Sequence, residues 1–167
     1  MPDSKGTVVI GCGNLLGGDD GIGLIALEAL RAWDLPPEVE LADGGTWGLN
    51  LLPSIEGCAR LLLLDAVAAG EPPGTLIVLE RDAIPRFLAT KLSPHQIDLR
   101  EVLAIAEFRG TLPAETVVVG LQPARLEMST TLSSAVAERL DDLVQVAAHW
   151  LEHWGHMVQP PVEVAGA

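Results

Sequence analysis

Three side chains with metal-binding chemistry are spread along the chain at positions that a fold could bring together. Asp20 lies one loop beyond the first predicted strand, and Asp65 directly follows a run of four leucines. His95 lies in a Ser-Pro-His-Gln loop, where Pro94 restricts the backbone. Two carboxylates and an imidazole suit a borderline divalent cation, and zinc, nickel and manganese all fit. We therefore take Asp20, Asp65 and His95 as candidate metal ligands.

The expected position of the acidic residues supports this interpretation. Asp43 and Asp65 each end a predicted strand, and ligands of open α/β sheets bind outside the carboxyl ends of the strands. A carboxylate at the rim of the core costs several kcal/mol in desolvation unless something pairs with it. Asp43, beside two glycines, is better explained as a helix cap or Asx turn. For Asp20 and Asp65 the residues alone leave a structural role and a functional role open.

The loop after the first strand is rich in glycine but departs from a dinucleotide-binding fingerprint. Gly11 and Gly13 fit the pattern G-x-G-x-x-G, whereas its third position is Leu16. The next helix is predicted to open with Asp19 and Asp20, whose charges would repel a pyrophosphate. The pattern instead predicts a tight turn in which Asp19 caps the helix. Cys12 has no adjacent base and is interpreted as a small buried residue.

The histidines near the C-terminus are a weaker candidate site. His149 and His153 have the i, i+4 spacing that can bind a metal on a helix. They lie off the apolar stripe of that helix and outside any HExxH pattern, which favours a solvated helix face.

Predicted strands alternate with predicted helices, which indicates a three-layer α/β/α domain. Strands are predicted at 7–10, 39–42, 61–64, 75–80 and 116–120, and helices at 19–32, 49–55, 99–108 and 133–154. The third and fourth strands are joined by about ten residues with two prolines, too short for a crossover helix, so the fourth strand is expected to be antiparallel. We expect residues 1–157 to form a single α/β domain and residues 158–167 a flexible tail.

The composition excludes several classes of partner. The chain has 167 residues, with 10 Lys and Arg against 23 Asp and Glu, for a net charge of −13. This acidity argues against nucleic acid and against an anionic membrane surface as partners. Two cysteines suit a reducing compartment, and no apolar run reaches the length of a membrane span. We therefore expect a cytoplasmic protein, with a monomer as the default.

Five motifs, in this order, resemble the nickel–iron hydrogenase maturation proteases. They are Gly11-Cys12-Gly13-Asn14 with Asp19-Asp20-Gly21-Ile22-Gly23, then Asp43-Gly44-Gly45-Thr46, Leu64-Asp65-Ala66, Ser93-Pro94-His95-Gln96 and Gly120-Leu121-Gln122-Pro123. Each motif is weak alone, but their order and spacing together are specific. The resemblance covers roughly residues 7 to 154.

The resemblance implies a fold and a function. The expected fold is a twisted, mostly parallel five-stranded sheet between helices, with one strand antiparallel. The family's metal-contacting residues carry over to Asp20, Asp65 and His95, and many members have glutamate where this chain has Asp20. The expected activity is an endopeptidase that removes a short C-terminal peptide from the precursor of a [NiFe] hydrogenase large subunit, with the nickel supplied by the precursor and no organic cofactor.

Two other hypotheses remain open from the sequence. The same three residues would serve a non-catalytic metal-binding or metal-delivery module. A nucleotide-binding domain is the third hypothesis, against which Asp19 and Asp20 already argue.

Overall fold

The computed structural model describes residues 6–84, 99–124 and 128–162, and within them the chain forms one five-stranded sheet. The strands are β1 (Thr7–Gly11), β2 (Val39–Asp43), β3 (Arg60–Ala66), β4 (Leu76–Leu79) and β5 (Glu115–Leu121). Their order across the sheet is β2-β1-β3-β5-β4. All neighbours are parallel except β4, which is antiparallel to β5. The predicted mixed sheet, including its antiparallel fourth strand, is confirmed.

Helices cover the sheet. The α-helices in the described residues are α1 (Ile22–Arg31), α2 (Gly44–Trp47), α3 (Leu52–Gly57), α4 (Leu99–Phe108), α5 (Ser134–Ala137) and α6 (Leu140–His153). Short 3-10 turns lie at Gly18–Gly21, Gly48–Leu51 and Arg81–Ala83. Within the part of the chain that is described, no helix combines the length and the apolarity that crossing a bilayer requires.

The four consecutive leucines of β3 explain how the layers assemble. Leu62 and Leu64 belong to the apolar cluster that includes residues of α1 and α6, whereas Leu61 and Leu63 belong to the cluster that includes residues of α3 and α4. All four are fully buried. A strand that alternates its side chains between two covered faces must be apolar at every position. The continuous run therefore marks the centre of the sheet and ends at Asp65.

The C-terminal helix differs from its prediction as one continuous element over 133–154. It is divided into α5 and α6 at Glu138 and Arg139, where Arg139 has φ −103° and ψ 2°. Val136 and Leu143 lie on either side of the break, and both are fully buried. Because the apolar spacing continues across the break, the pattern could not reveal it.

The segment after α6 is held more firmly than expected. Val158 is buried, and Asp34 and Gln159 exchange two backbone hydrogen bonds with N···O distances of 2.9 and 3.1 Å. The first two positions of the expected tail therefore pack against the domain. Residues 163–167 lie outside the described residues.

Candidate active site

The strand register aligns the acidic residues at one edge of the sheet. Gly11 at the end of β1 pairs with Asp43 of β2 on one side and with Leu64 of β3 on the other. One position further, Asp65 pairs with Gly120 of β5. The carboxyl ends of four parallel strands therefore meet at this edge, where the sequence predicted a site.

The chain leaving β1 turns sharply so that Asp20 folds back onto the glycine-rich loop. Gly13 has φ 109°, and a Cβ atom there would lie 1.8 Å from the carbonyl oxygen of Asp20. A Cβ atom at Gly17 would lie 3.4 Å from the Asp20 carboxylate oxygen Oδ2. Only glycine at position 13 permits this approach. The tight turn that the sequence predicted is confirmed, and it fixes the backbone of Asp20.

The beginning of α1 packs directly on the end of β3. The N–H of Cys12 donates to the carbonyl of Leu64 at 2.8 Å, which extends the pairing of the two strands by one residue. A Cβ atom at Gly23 would lie 2.1 Å from that same carbonyl oxygen and 2.5 Å from the carbonyl oxygen of Cys12. The turn carrying Asp20 is thus attached to the backbone immediately before Asp65.

Asp65 is a buried carboxylate at the end of β3. Only 3% of the residue is exposed, and its Oδ1 accepts the N–H of Ala66 at 2.8 Å. β5 passes close beside it, because a Cβ atom at Gly120 would lie 2.2 Å from the Asp65 carbonyl oxygen. The oxygens of Asp65 are therefore held in place by the surrounding backbone, as a cation ligand requires.

Asp19 has a different role from the predicted one. The N-cap position of α1 is Gly21, so the interpretation of Asp19 as the cap of this helix is wrong. Asp19 is 2% exposed, and its carboxylate accepts three hydrogen bonds of 2.8 Å: from the N–H of Ala124 and from the N–H and hydroxyl of Ser133. Capping could be proposed from local sequence alone, whereas these partners lie 105 and 114 residues away.

Gln122 is a second residue whose role the sequence did not reveal. Its Oε1 accepts the N–H groups of Ala69 and Glu71, at 2.7 and 3.3 Å, in the loop that follows Asp65. The only signal in the sequence was its place in the Gly-Leu-Gln-Pro motif, which gave no partner.

The remaining sequence predictions near the site can be compared directly. The Asp43 Oδ1 accepts the N–H of Gly45 at 2.8 Å at the start of α2, which confirms its capping role. Cys12 is buried, as predicted, and Cys58 is buried as well. His149 and His153 are exposed on α6, which confirms the solvated helix face.

His95 lies outside the described residues, together with the Ser-Pro-His-Gln loop that contains it. Within the described ranges, no three His, Cys, Asp or Glu side chains are grouped so that they could hold a metal ion. The structure thus places two of the three predicted ligands, Asp20 and Asp65, at one edge of the sheet. Their carboxylate oxygens suit a divalent cation that completes its coordination with other donors.

Comparison with known proteins gives a consistent result. Residues 25–150 match the sequence model of a family described as hydrogenase maturation protease. The hydrogenase expression/formation protein HoxM of Cupriavidus necator is 40% identical over 156 residues, which cover 92% of this chain and 77% of that protein. The hydrogenase 2 maturation protease of Escherichia coli is 34% identical over 140 residues, covering 83% of this chain and 85% of that protein.

Solved structures agree with the sequence comparison. The hydrogenase maturating endopeptidase HybD from E. coli superposes with a TM-score of 0.84 at 32% identity, covering 93% of this chain and 97% of that chain. The [NiFe] hydrogenase maturation protease HycI from Thermococcus kodakarensis has a TM-score of 0.67 at 25% identity, covering 90% of this chain and 95% of that chain. The family match covers more than half of the chain, and the five-stranded mixed sheet agrees with the fold of these solved structures. The chain therefore belongs to the hydrogenase maturation protease family.

Proposed function

We propose that this protein is an endopeptidase that removes a short C-terminal peptide from the nickel-loaded precursor of a [NiFe] hydrogenase large subunit. The observation that carries the proposal is the alignment of Asp20 and Asp65 at the carboxyl edge of the sheet, in a chain of the hydrogenase maturation protease family. Residues 1–157 act as the single catalytic domain, and the precursor is the protein partner. No organic cofactor takes part.

Asp20, Asp65 and His95 have the role of recognising the metal. Asp20 presents its carboxylate from a turn fixed by Gly13 and Gly17, and Asp65 presents its own from the end of the central strand β3. His95 adds the imidazole that a borderline cation such as nickel accepts readily. A peptide bond held beside these residues lies next to a Lewis acid, which polarises a carbonyl or lowers the pKa of a bound water.

Nickel is part of the substrate in this proposal. The relatives are named for hydrogenase maturation, and within the described residues no three potential donors are grouped around one metal position. Cleavage then depends on whether the precursor has received its metal. The protease acts as a checkpoint that commits only loaded precursors to maturation.

The decisive experiment compares two forms of one purified precursor. Mass spectrometry would follow loss of the C-terminal peptide from nickel-loaded and nickel-free precursor incubated with this protein. We expect shortening of the loaded form only, because the two carboxylates and His95 recognise the metal. Equal cleavage of both forms would contradict the checkpoint, and absence of cleavage despite stoichiometric metal binding would favour a metal-delivery module instead.

The site residues are tested with matched substitutions. Asp20→Asn, Asp65→Asn and His95→Ala each should abolish processing, because the first two remove a carboxylate charge at nearly constant side-chain shape and the third removes the imidazole. Asp141→Asn and His149→Ala, at exposed positions of α6, serve as controls with unchanged processing. Full activity of the triple variant would refute the site.

A further inference from the structure

The described parts of the connection between β5 and α5, residues 122–124 and 128–133, contact both the loop that follows Asp65 and the turn that carries Asp20. At its beginning, the Oε1 of Gln122 accepts the N–H groups of Ala69 and Glu71, just after Asp65. The backbone of Gln122 also exchanges hydrogen bonds with Gly74 and Thr75, which end the same loop. Gln122 therefore anchors the loop that follows β3 through both its side chain and its backbone.

The same connection holds the turn that carries Asp20 at three further positions. Ala124 and Ser133 donate to the buried carboxylate of Asp19, the residue next to Asp20. Between them, Ser129 donates its N–H to the carbonyl of Leu16 at 2.9 Å and accepts the N–H of Gly18 at 2.8 Å. The 3-10 turn is thus bonded at its beginning and at its acidic centre to the segment that leaves β5 at the same edge of the sheet.

Hydrogen bonds to a buried carboxylate are stronger than bonds between neutral groups, so Asp19 is a firm attachment. Gln122 and Ala124 are separated by one residue, Pro123, whose ring restricts the backbone between them. The hydrogen bonds that hold the loop after Asp65 and those that hold the Asp20 turn are therefore made by nearby residues of one restricted segment. A change at one should be transmitted to the other.

We propose that this connection is a brace that sets the separation of Asp20 and Asp65, with Asp19 and Gln122 as positioning residues. This inference rests on the proposed function, in which both carboxylates contact one nickel ion. Metal coordination tolerates little displacement of its donors, and loss of the groups that orient ligands typically reduces activity about 10- to 100-fold. The brace supplies that orientation without touching the metal itself.

The first test uses the mildest substitutions that weaken each attachment. Ser133→Ala removes one hydrogen bond from Asp19, and Gln122→Met removes the acceptor for Ala69 and Glu71. Each should lower kcat/KM for nickel-loaded precursor about tenfold, as expected for groups that orient metal ligands. Ser133→Thr, which keeps a hydroxyl, should retain the wild-type kcat/KM. Two control variants change exposed residues. Ser134→Ala is the control for Ser133→Ala, Gln145→Met is the control for Gln122→Met, and neither should have an effect.

Assays would be run well below the melting temperature of each variant, so that a loss of folded protein is not mistaken for a loss of positioning. Wild-type kcat/KM in both folded variants would overturn the proposal. The double variant Ser133→Ala with Gln122→Met should lose less than the product of the two single effects, because both act on one brace.

Hydrogen exchange of the protein alone separates failure of the brace from failure of the proposed function. In Ser133→Ala, exchange should rise at the amides of residues 17–21 and also at Ala69 and Glu71. In Gln122→Met it should rise in the same two segments. Exchange that rises only in the loop next to each substitution would overturn the brace, even if the protease is active. Failure of the wild-type protein to cleave nickel-loaded precursor would instead overturn the proposed function. The hydrogen exchange data alone would then decide whether the brace exists.

Discussion

At the scale of single residues, close backbone approach governs the candidate site as much as charge does. Gly23 shows this most clearly, because the place of its missing side chain is occupied by two carbonyl oxygens. Those oxygens belong to Cys12, in the glycine-rich loop that leads to Asp20, and to Leu64, which directly precedes Asp65. The residue therefore allows α1 to bring Asp20 towards the end of β3. Gly23 contributes to the site only by lacking a side chain.

Gly23→Ala should destabilise the fold and reduce processing together. A Cβ atom at position 23 would lie 2.1 Å from a backbone oxygen, so α1 or β3 must shift. Overpacking of this kind costs about 1–3 kcal/mol. Chemical denaturation and the precursor assay would measure both effects. Gly57→Ala is the matched control, because nothing lies within 4 Å of its Cβ position and its stability should be unchanged or slightly higher. Equal stability of the two variants would contradict this account.

At the scale of elements, a buried carboxylate joins a turn to a distant connection. Asp19 shows how little local sequence reveals of such a link. Its position before α1 is typical of a cap, yet its described partners come from the segment after β5. Asp19 and Asp20 are adjacent in sequence, but one is directed to the brace and the other lies against the glycine-rich loop. Their identical chemistry serves two different purposes.

Asp19→Asn should destabilise the protein substantially. The amide group places an N–H donor where one of the carboxylate oxygens now accepts the N–H or hydroxyl of its partners. Leaving a buried hydrogen-bonding group unsatisfied typically costs about 1–3 kcal/mol, and more where the bond involves a charged group. The free energy of unfolding from urea titration would measure the loss. Asp34→Asn, on an exposed side chain, is the control with little change. A stability equal to the wild type would show that the carboxylate charge of Asp19 is dispensable.

The prediction of elements from sequence succeeded where a pattern had one physical cause. The run Leu61–Leu64 predicted a strand covered on both faces, and the short, proline-containing connection at 70–74 predicted the antiparallel strand. It failed at Arg139, where apolar spacing continues through a helix break. Of the candidate site, the sequence placed Asp20 and Asp65 at the correct edge. It could not assign Asp19 or Gln122, because their partners are distant in the chain.

At the scale of the whole molecule, the two ends of the described chain meet at the edge of the sheet opposite the candidate site. The hydroxyl of Thr7, in the first residue of β1, forms a hydrogen bond of 2.7 Å with the Nε2 of His156. Burial and the neighbouring positive charge of Arg60 lower the pKa of His156 below 6.5, while Glu38 opposes this shift. A proton added to His156 is therefore less favourable in the folded protein than in the unfolded chain.

Stability should consequently fall as the pH is lowered through 6.5 towards the lower, folded-state pKa of His156. In this window the unfolded chain binds a proton that the folded protein does not, so the free energy of unfolding decreases. Below the folded-state pKa the contribution of this residue levels off. Melting temperatures of the wild type and His156→Gln across this range would test it. The difference between the two proteins should change with pH, and two parallel curves would contradict the assignment.

The length of chain between Asp19 and its partners affects when the site can form. Loops of 105 and 114 residues must close before Ala124 and Ser133 reach that carboxylate. Contacts so distant in sequence are slow to form, and during synthesis the chain grows from its N-terminus. A nascent chain carries Asp20 and Asp65 long before it carries residue 133. Proteolytic competence should therefore arise late, as one of the last steps of folding rather than an early one.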